Sequence, residues 1–232
     1  MFFPIGDDQV QGGNKPLFVY SLIILNTITF LFEYSLDPES CEAFISQFGA
    51  IPNNLLNGKD YINLISCMFL HAGWMHLIGN MLFLWVFADN IETVIGTINF
   101  MVFYIFGGVI ASMIHVFFNP YSEIPMIGAS GAISSVLGAY LVMFPASRIK
   151  VFFLLFLSIF YVPSIFFLGF WIIQQLIAGF GAINSTALES SGVAWWAHIG
   201  GFSFGVIVGF IIRSQYKNRY KYISYSDEVE AN

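Results

Sequence analysis

The sequence predicts an all-α membrane protein built from six membrane-spanning helices. Of its 232 residues, 57% are hydrophobic and only 9% charged, giving a mean hydropathy of +0.76. The apolar residues fall in long unbroken runs, and the lysines and arginines sort onto one side of six spans. That apolar content exceeds what the core of a soluble domain needs. Hydrocarbon of about 30 Å is crossed by roughly 20 helical residues or by a closed barrel, and unbroken runs lack the alternation of barrel strands.

Residues 1–16 form a short cytoplasmic segment ending in Lys15 and Pro16. The first apolar run, Leu17 to Leu36, has no small-residue cleavage site and is read as a retained anchor, not a signal peptide; no transit peptide is visible. A long outer segment follows, Asp37 to Met75, punctuated by Pro, Asn and Gly yet carrying Phe44, Ile45, Phe48 and Ile51. It is too apolar for a solvated linker and is read as short amphipathic helices associated with the outer leaflet. Further spans are expected at 76–95, 98–118, 128–145, 162–180 and 193–213. One six-span domain thus covers 17–213, and 214–232 form a polar cytoplasmic tail.

Val151 to Phe180 is too long for one span and is interrupted by Pro163. Two spans there would make seven and place the termini on opposite sides. With six, Lys15, Arg148, Lys150, Arg213, Lys217, Arg219 and Lys221 share one side, leaving only Lys59 opposite. The bias of basic residues toward the cytoplasm therefore favours six spans with both termini inside. Val151 to Tyr161 becomes an interfacial or extended aromatic connection.

Polar groups inside a bilayer are costly. The second, fourth and sixth spans run in the same direction, and each carries polar residues near its outer end. His76 and Asn80, four residues apart, share a helical face. Ser130 lies in the first turn of the fourth span, and His198 lies a few residues after Gly192 in the sixth. A lone membrane serine ordinarily bonds its own helix, and a lone histidine ordinarily bonds a neighbouring one. Together at one depth they suggest a hydroxyl activated by an imidazole base. A helix start adds free N–H groups and a positive dipole end, so the Ser130 N–H, His76 and Asn80 are candidate donors to an oxyanion. Gly128 permits a tight entry, and Gly131 leaves room beside the serine. Gly201, Gly205 and Gly209 repeat every four residues, a stripe that lets membrane helices approach closely.

Other chemistries find less support. The net charge is −6 and the pI about 5.0, with no basic surface suited to nucleic acid. Cys41 and Cys67 fit no CxxC pattern; they are either paired or two small hydrophobes. His71, His76 and His198 lack an H-E-x-x-H arrangement or a carboxylate at their depth, so no metal and no cofactor is expected. "GASGA" does not match the soluble G-x-S-x-G elbow, because Ala132 replaces its last glycine and no strand precedes it. No acid is placed to orient His198, which favours a Ser-His dyad. A transporter would call for carboxylates at the histidine depth or inverted repeats, and neither is present.

At these residues the sequence resembles the rhomboid intramembrane serine proteases. "HAGWMHLIGN" (71–80) matches the family's H-x4-H-x3-N element, "GASG" (128–131) its G-x-S-G element, and "AHIGGFSFG" (197–205) its A-H-x-x-G element. The three occur in order on the expected spans. The resemblance implies a six-helix bundle with a long first outer loop. It implies Ser130 as nucleophile, His198 as base, and His76, Asn80, Gly128 and the Ser130 backbone at the oxyanion site. It assigns His71 to organising the first loop, Glu92 to structure, and Gly131 and Gly201 to support. Where many members carry a Trp-Arg pair in the first loop, this chain has "DYINLIS" (60–66), which puts loop anchoring in question.

By similarity, the reaction is hydrolysis of peptide bonds in or beside transmembrane helices of protein substrates, with membrane lipid as the other partner. "GAINSTALESSG" (181–192) is read as a mobile cap over the site. The rival reading is a catalytically silent relative that binds client helices. A bacterial plasma membrane is the expected location, with the site opening outward.

Overall fold

The computed structural model describes residues 2–8, 10–11, 13–182, 193–216 and 221–222. The elements along the chain are β1 (Phe2–Gly6), β2 (Val10–Gln11), α1 (Leu17–Ser35), α2 (Pro38–Phe48), α3 (Pro52–Leu56) and α4 (Asn63–Ser66). A 3-10 turn at Cys67–Phe69 leads to α5 (Trp74–Ile95), α6 (Thr97–Phe118) and α7 (Ser130–Met143). Then come β3 (Arg148–Phe153), β4 (Ser158–Pro163), α8 (Ser164–Ala182), α9 (Trp195–Tyr216) and β5 (Lys221–Tyr222).

Among the described residues, five helices, α1, α5, α6, α8 and α9, are long and apolar enough to cross a membrane. α7, expected as a span over 128–145, does not reach that length. α7 has 14 residues, about 21 Å at 1.5 Å per residue. Its start is set by Gly128, whose φ of +114° lies outside the right-handed helical region, and its end falls before Pro145. α7 is buried from Ala132 to Tyr140, so neighbouring helices, not lipid, surround it. Irregular backbone at its ends is tolerable at such depth because protein covers it.

Close approach between α7 and α9 follows from the glycine stripe. A side chain at Gly201 would run into the Gly131 carbonyl, at Gly205 into the Ser135 carbonyl, and at Gly209 into the Ala139 backbone. Across the same contact, Gly138 lies against the Phe202 carbonyl. Only with hydrogen at these positions do the two backbones touch.

The chain is not all-α. β1, β3 and β4 form an antiparallel sheet in the order β1-β3-β4, with Phe2 opposite Phe153 and Phe153 opposite Ser158. The aromatic connection at 151–161 is thus a β-hairpin, turning with Leu157 at φ +48°. Its β-branched and aromatic residues suit a pleated surface, and β1 supplies a third strand from the start of the chain. Below the sheet, Asp7 accepts hydrogen bonds from the Tyr140 hydroxyl and from Asn90 Nδ2, while Asp8 accepts from the Arg148 N–H at 2.9 Å.

Residues 37–73 hold the short helices α2, α3 and α4 and the 3-10 turn. This loop is tied internally from within the "DYINLIS" stretch. Asn63 Nδ2 donates to the Gln47 and Gly49 carbonyls, both at 2.9 Å, and Ser66 Oγ to the Phe48 carbonyl at 2.7 Å. Cys41 and Cys67 are unpaired.

Candidate active site

Ser130 opens α7, held there by the turn at Gly128, whose N–H donates to the Cys67 carbonyl at 2.9 Å. His198 sits on the first turn of α9, where the Gly201 contact with Gly131 presses the two helix ends together. The result is a hydrogen bond of 2.8 Å between Ser130 Oγ and His198 Nε2. The imidazole is flanked by the rings of Trp171 and Trp195, with centroids 5.9 Å and 6.2 Å away.

Two further histidines come from α5 and the residues before it. His76 Nδ1 accepts from the Ala72 N–H at 3.4 Å, which leaves Nε2 as the protonated nitrogen. That nitrogen faces Gly128: a Cβ there would lie 2.6 Å from His76 Nε2 and 3.4 Å from Asn80 Nδ2. Asn80 Nδ2 is buried and, among the described residues, has no hydrogen-bond partner. Two N–H donors therefore meet the backbone two residues ahead of Ser130, at a helix N-terminus. His71 stands behind His76, ring centroids 5.1 Å apart, and its N–H donates to Glu33 Oε2 at 3.2 Å. Burial first, and then the neighbouring His76, pushes His71 down to about 4.

Of the residues singled out in the sequence, Ser130 and His198 are hydrogen-bonded, His76 and Asn80 meet Gly128 two residues ahead of Ser130, and His71, Gly131 and Gly201 lie against these groups, whereas Glu92 is elsewhere, bonded to the start of α1. Two groups escaped the sequence reading. Gln175 on α8 places Oε1 2.8 Å from His198 Nδ1. His115, on the last turn of α6, lines a cavity of about 490 Å³ together with Asn119, Glu123, Ile127 and Trp195. Ile127 directly precedes Gly128, so this cavity abuts the serine turn. His115 was visible as the third of the chain's four histidines, but nothing in its apolar neighbourhood linked it to the others. Among the described residues, no three His, Cys, Asp or Glu side chains are grouped as metal ligands would be. Residues 183–192, which contain most of the expected cap, lie outside the described residues.

Such an arrangement can deprotonate a hydroxyl and receive a developing negative charge on neutral donors. Comparison with known proteins bears on the family. A family model described as Rhomboid domain matches residues 58–215. "Rhomboid protein 1, mitochondrial" of Saccharomyces cerevisiae is 28% identical over 199 residues, 84% of this chain and 53% of that protein. "Rhomboid protease GluP" of Bacillus subtilis is 34% identical over 135 residues, 58% of this chain and 26% of that protein. The human "Presenilin-associated rhomboid-like protein, mitochondrial" is 28% identical over 176 residues, 71% of this chain and 41% of that protein. The chain thus spans about half or less of the length of these relatives. With the family model matching from the first loop through α9, across the helices that bring Ser130 and His198 together, the chain belongs to the rhomboid family.

Proposed function

We propose that this protein is an intramembrane serine endopeptidase that hydrolyses peptide bonds in or next to transmembrane helices of protein substrates. The observation that carries the reading is the 2.8 Å bond between Ser130 Oγ and His198 Nε2, with His76 Nε2 and Asn80 Nδ2 facing Gly128 two residues ahead of the serine.

In the first step the Ser130 oxygen forms a bond to the substrate carbonyl carbon while its proton passes to His198 Nε2. The carbonyl oxygen takes the negative charge and is met by the Ser130 N–H, His76 Nε2–H and Asn80 Nδ2–H. Collapse of this intermediate breaks the C–N bond, and the leaving amine takes the proton from Nε2. Water then attacks the acyl carbon and gives a proton to His198 Nε2; collapse breaks the ester bond to Ser130 Oγ, which takes that proton back, and the acid is released. A helical substrate hides its carbonyls in i to i−4 bonds, so residues that unwind readily, with small side chains at the cut, suit this site.

The distribution of lysine and arginine supports six spans, α7 included, with both termini cytoplasmic and Ser130 toward the outer side. The relatives come from bacteria and from mitochondria, and the same argument applies in a bacterial plasma membrane, the setting proposed from the sequence.

The test is cleavage of a generic single-span substrate in liposomes by the purified protein and by Ser130→Ala, read by gel and mass spectrometry. A cut in or near the span that disappears in Ser130→Ala is the expected result. A cut retained in Ser130→Ala, or no cut across a panel of such substrates, sinks the proposal.

A further inference from the structure

Trp171 and Gln175 lie one turn apart on α8 and both face His198. The neighbouring Gln174 is exposed, whereas Gln175 is only 7% exposed. A buried amide must place both of its ends, and here the ends are distinguishable. Its Nε2 donates to the Trp171 carbonyl at 3.3 Å. A carbonyl only accepts, so the amide nitrogen belongs on that side and Oε1 on the other, 2.8 Å from His198 Nδ1. Oε1 in turn only accepts, so Nδ1 must carry the imidazole proton. Nε2 is then the bare nitrogen, and it faces the Ser130 hydroxyl at 2.8 Å. A neutral imidazole has two tautomers, and only this one makes His198 a base toward Ser130.

We infer that Gln175 is the positioning residue of the site: through the Trp171 carbonyl and its own amide it fixes the tautomer and ring orientation of His198. The assignment rests on the proposed role of Ser130 and His198. The chain of bonds runs Trp171 C=O, Gln175 amide, His198, Ser130, and each link forces the polarity of the next. When Nε2 takes the serine proton, Nδ1 keeps its own, and the amide oxygen dipole faces the new positive charge. A glutamine achieves this without burying a second charge in an apolar site, where an unpaired carboxylate would be costly. The geometry replaces the bare dyad of the sequence reading with a three-residue relay whose third member is neutral.

The test compares wild type, Gln175→Leu, Gln175→Met and Gln175→Glu in liposomes, measuring kcat and KM on a single-span substrate and Tm in detergent. It also measures the labelling rate of Ser130 by a fluorophosphonate, a probe that needs the nucleophile but no helix substrate. Loss of the acceptor is expected to lower kcat by about 10- to 1000-fold, in the range for losing control of a general base. KM should stay within about twofold, and labelling should slow in parallel with kcat. Gln175→Glu, which still accepts from Nδ1–H, should recover at least about tenfold over Gln175→Leu. Met fills the same length without an amide, so one of the two apolar variants reports on chemistry even if the other folds poorly. A folded Leu or Met variant with kcat within about twofold of wild type overturns the assignment, as does a Glu variant no faster than Leu. If wild type itself neither cuts nor labels while Tm is normal, the protease reading fails instead.

Discussion

Glu92 on α5 caps a helix that begins far earlier in the chain: its Oε2 accepts from the Val19 N–H at 2.8 Å, across 73 residues of sequence. Oε1 accepts from the Phe18 N–H at 2.9 Å and from Thr97 Oγ1 at 2.8 Å. α1 has no capping side chain of its own, since Pro16 precedes it. Orphan N–H groups at a helix start need an acceptor, and a fully buried carboxylate needs donors; each supplies the other. Glu92→Ala should therefore lower stability by about 3 kcal/mol, several charged hydrogen bonds being lost at once. Thermal unfolding in detergent measures this, and a Tm within a degree of wild type would refute it.

In the proposed mechanism, Asn80 donates only to an arriving substrate oxygen. Its Nδ2 is buried without a partner among the described residues, so truncation removes no ground-state bond of that nitrogen. Asn80→Ala should lower kcat by about tenfold to a thousandfold, the range for losing one oxyanion donor, while Tm changes little. Unchanged kcat would remove Asn80 from the site.

The approach of α9 to α7 sets the distance between His198 and Ser130. At Gly205 a Cβ would run into the Ser135 carbonyl, so Gly205→Ala must part the helices two turns below the site. A displacement of about 1 Å at reacting atoms costs roughly a hundredfold in rate. The variant should lose activity by about that factor and lose several degrees in Tm; full activity would mean that the contact does not govern the site.

Asn63 joins the first loop into one unit by bonding the carbonyls of Gln47 and Gly49. Asn63→Ala strips both, leaving one of them buried, and should weaken the loop by about 2 kcal/mol. Hydrogen exchange over residues 37–66 should quicken while α5 and α6 stay protected; uniform protection would show that other contacts hold the loop.

Asp7 gives the other end of the molecule a pH dependence. Burial first, then the nearby Asp89, raises its carboxyl well above the usual 3.8, against the opposing bonds from Tyr140 and Asn90. Asp8 adds a smaller push in the same direction, and Arg148 Nε lies 3.7 Å from Asp8. The folded state therefore holds its proton to higher pH than the unfolded chain does. Stability from this group is complete below 3.8 and is withdrawn as pH climbs from there through the folded value. Exchange of residues 2–8 should accelerate from pH 5 to pH 9 by about tenfold beyond the intrinsic increase, and Asp7→Asn should flatten that trend. A slope unchanged in Asp7→Asn would assign it to another group.

Much of the candidate site was legible because hydrocarbon makes polar residues expensive and helical spacing puts them on faces. His76 and Asn80, Ser130 after Gly128, and His198 ahead of a glycine stripe were readable for that reason. Gln175 was not: it sits next to Gln174 in an apolar run, and only packing decides which of the two turns inward. The length of α7 was misjudged because hydropathy counts apolar residues and not the backbone angle at Gly128. β1 was invisible, since five residues carry no usable period and their partner strand is remote in sequence.

That remoteness has a consequence for how the molecule is made. Phe2 faces Phe153 across the sheet, so β1 must wait, unpaired, until α1 through α7 and β3 have been synthesised. Such non-local pairing is slow to form and exposes a free edge meanwhile. Closure of the β1-β3-β4 sheet, with Asp7 then engaging Tyr140 at the foot of the helix that carries Ser130, is therefore a late step in biogenesis. The nascent chain reaches it only after the serine helix is in place.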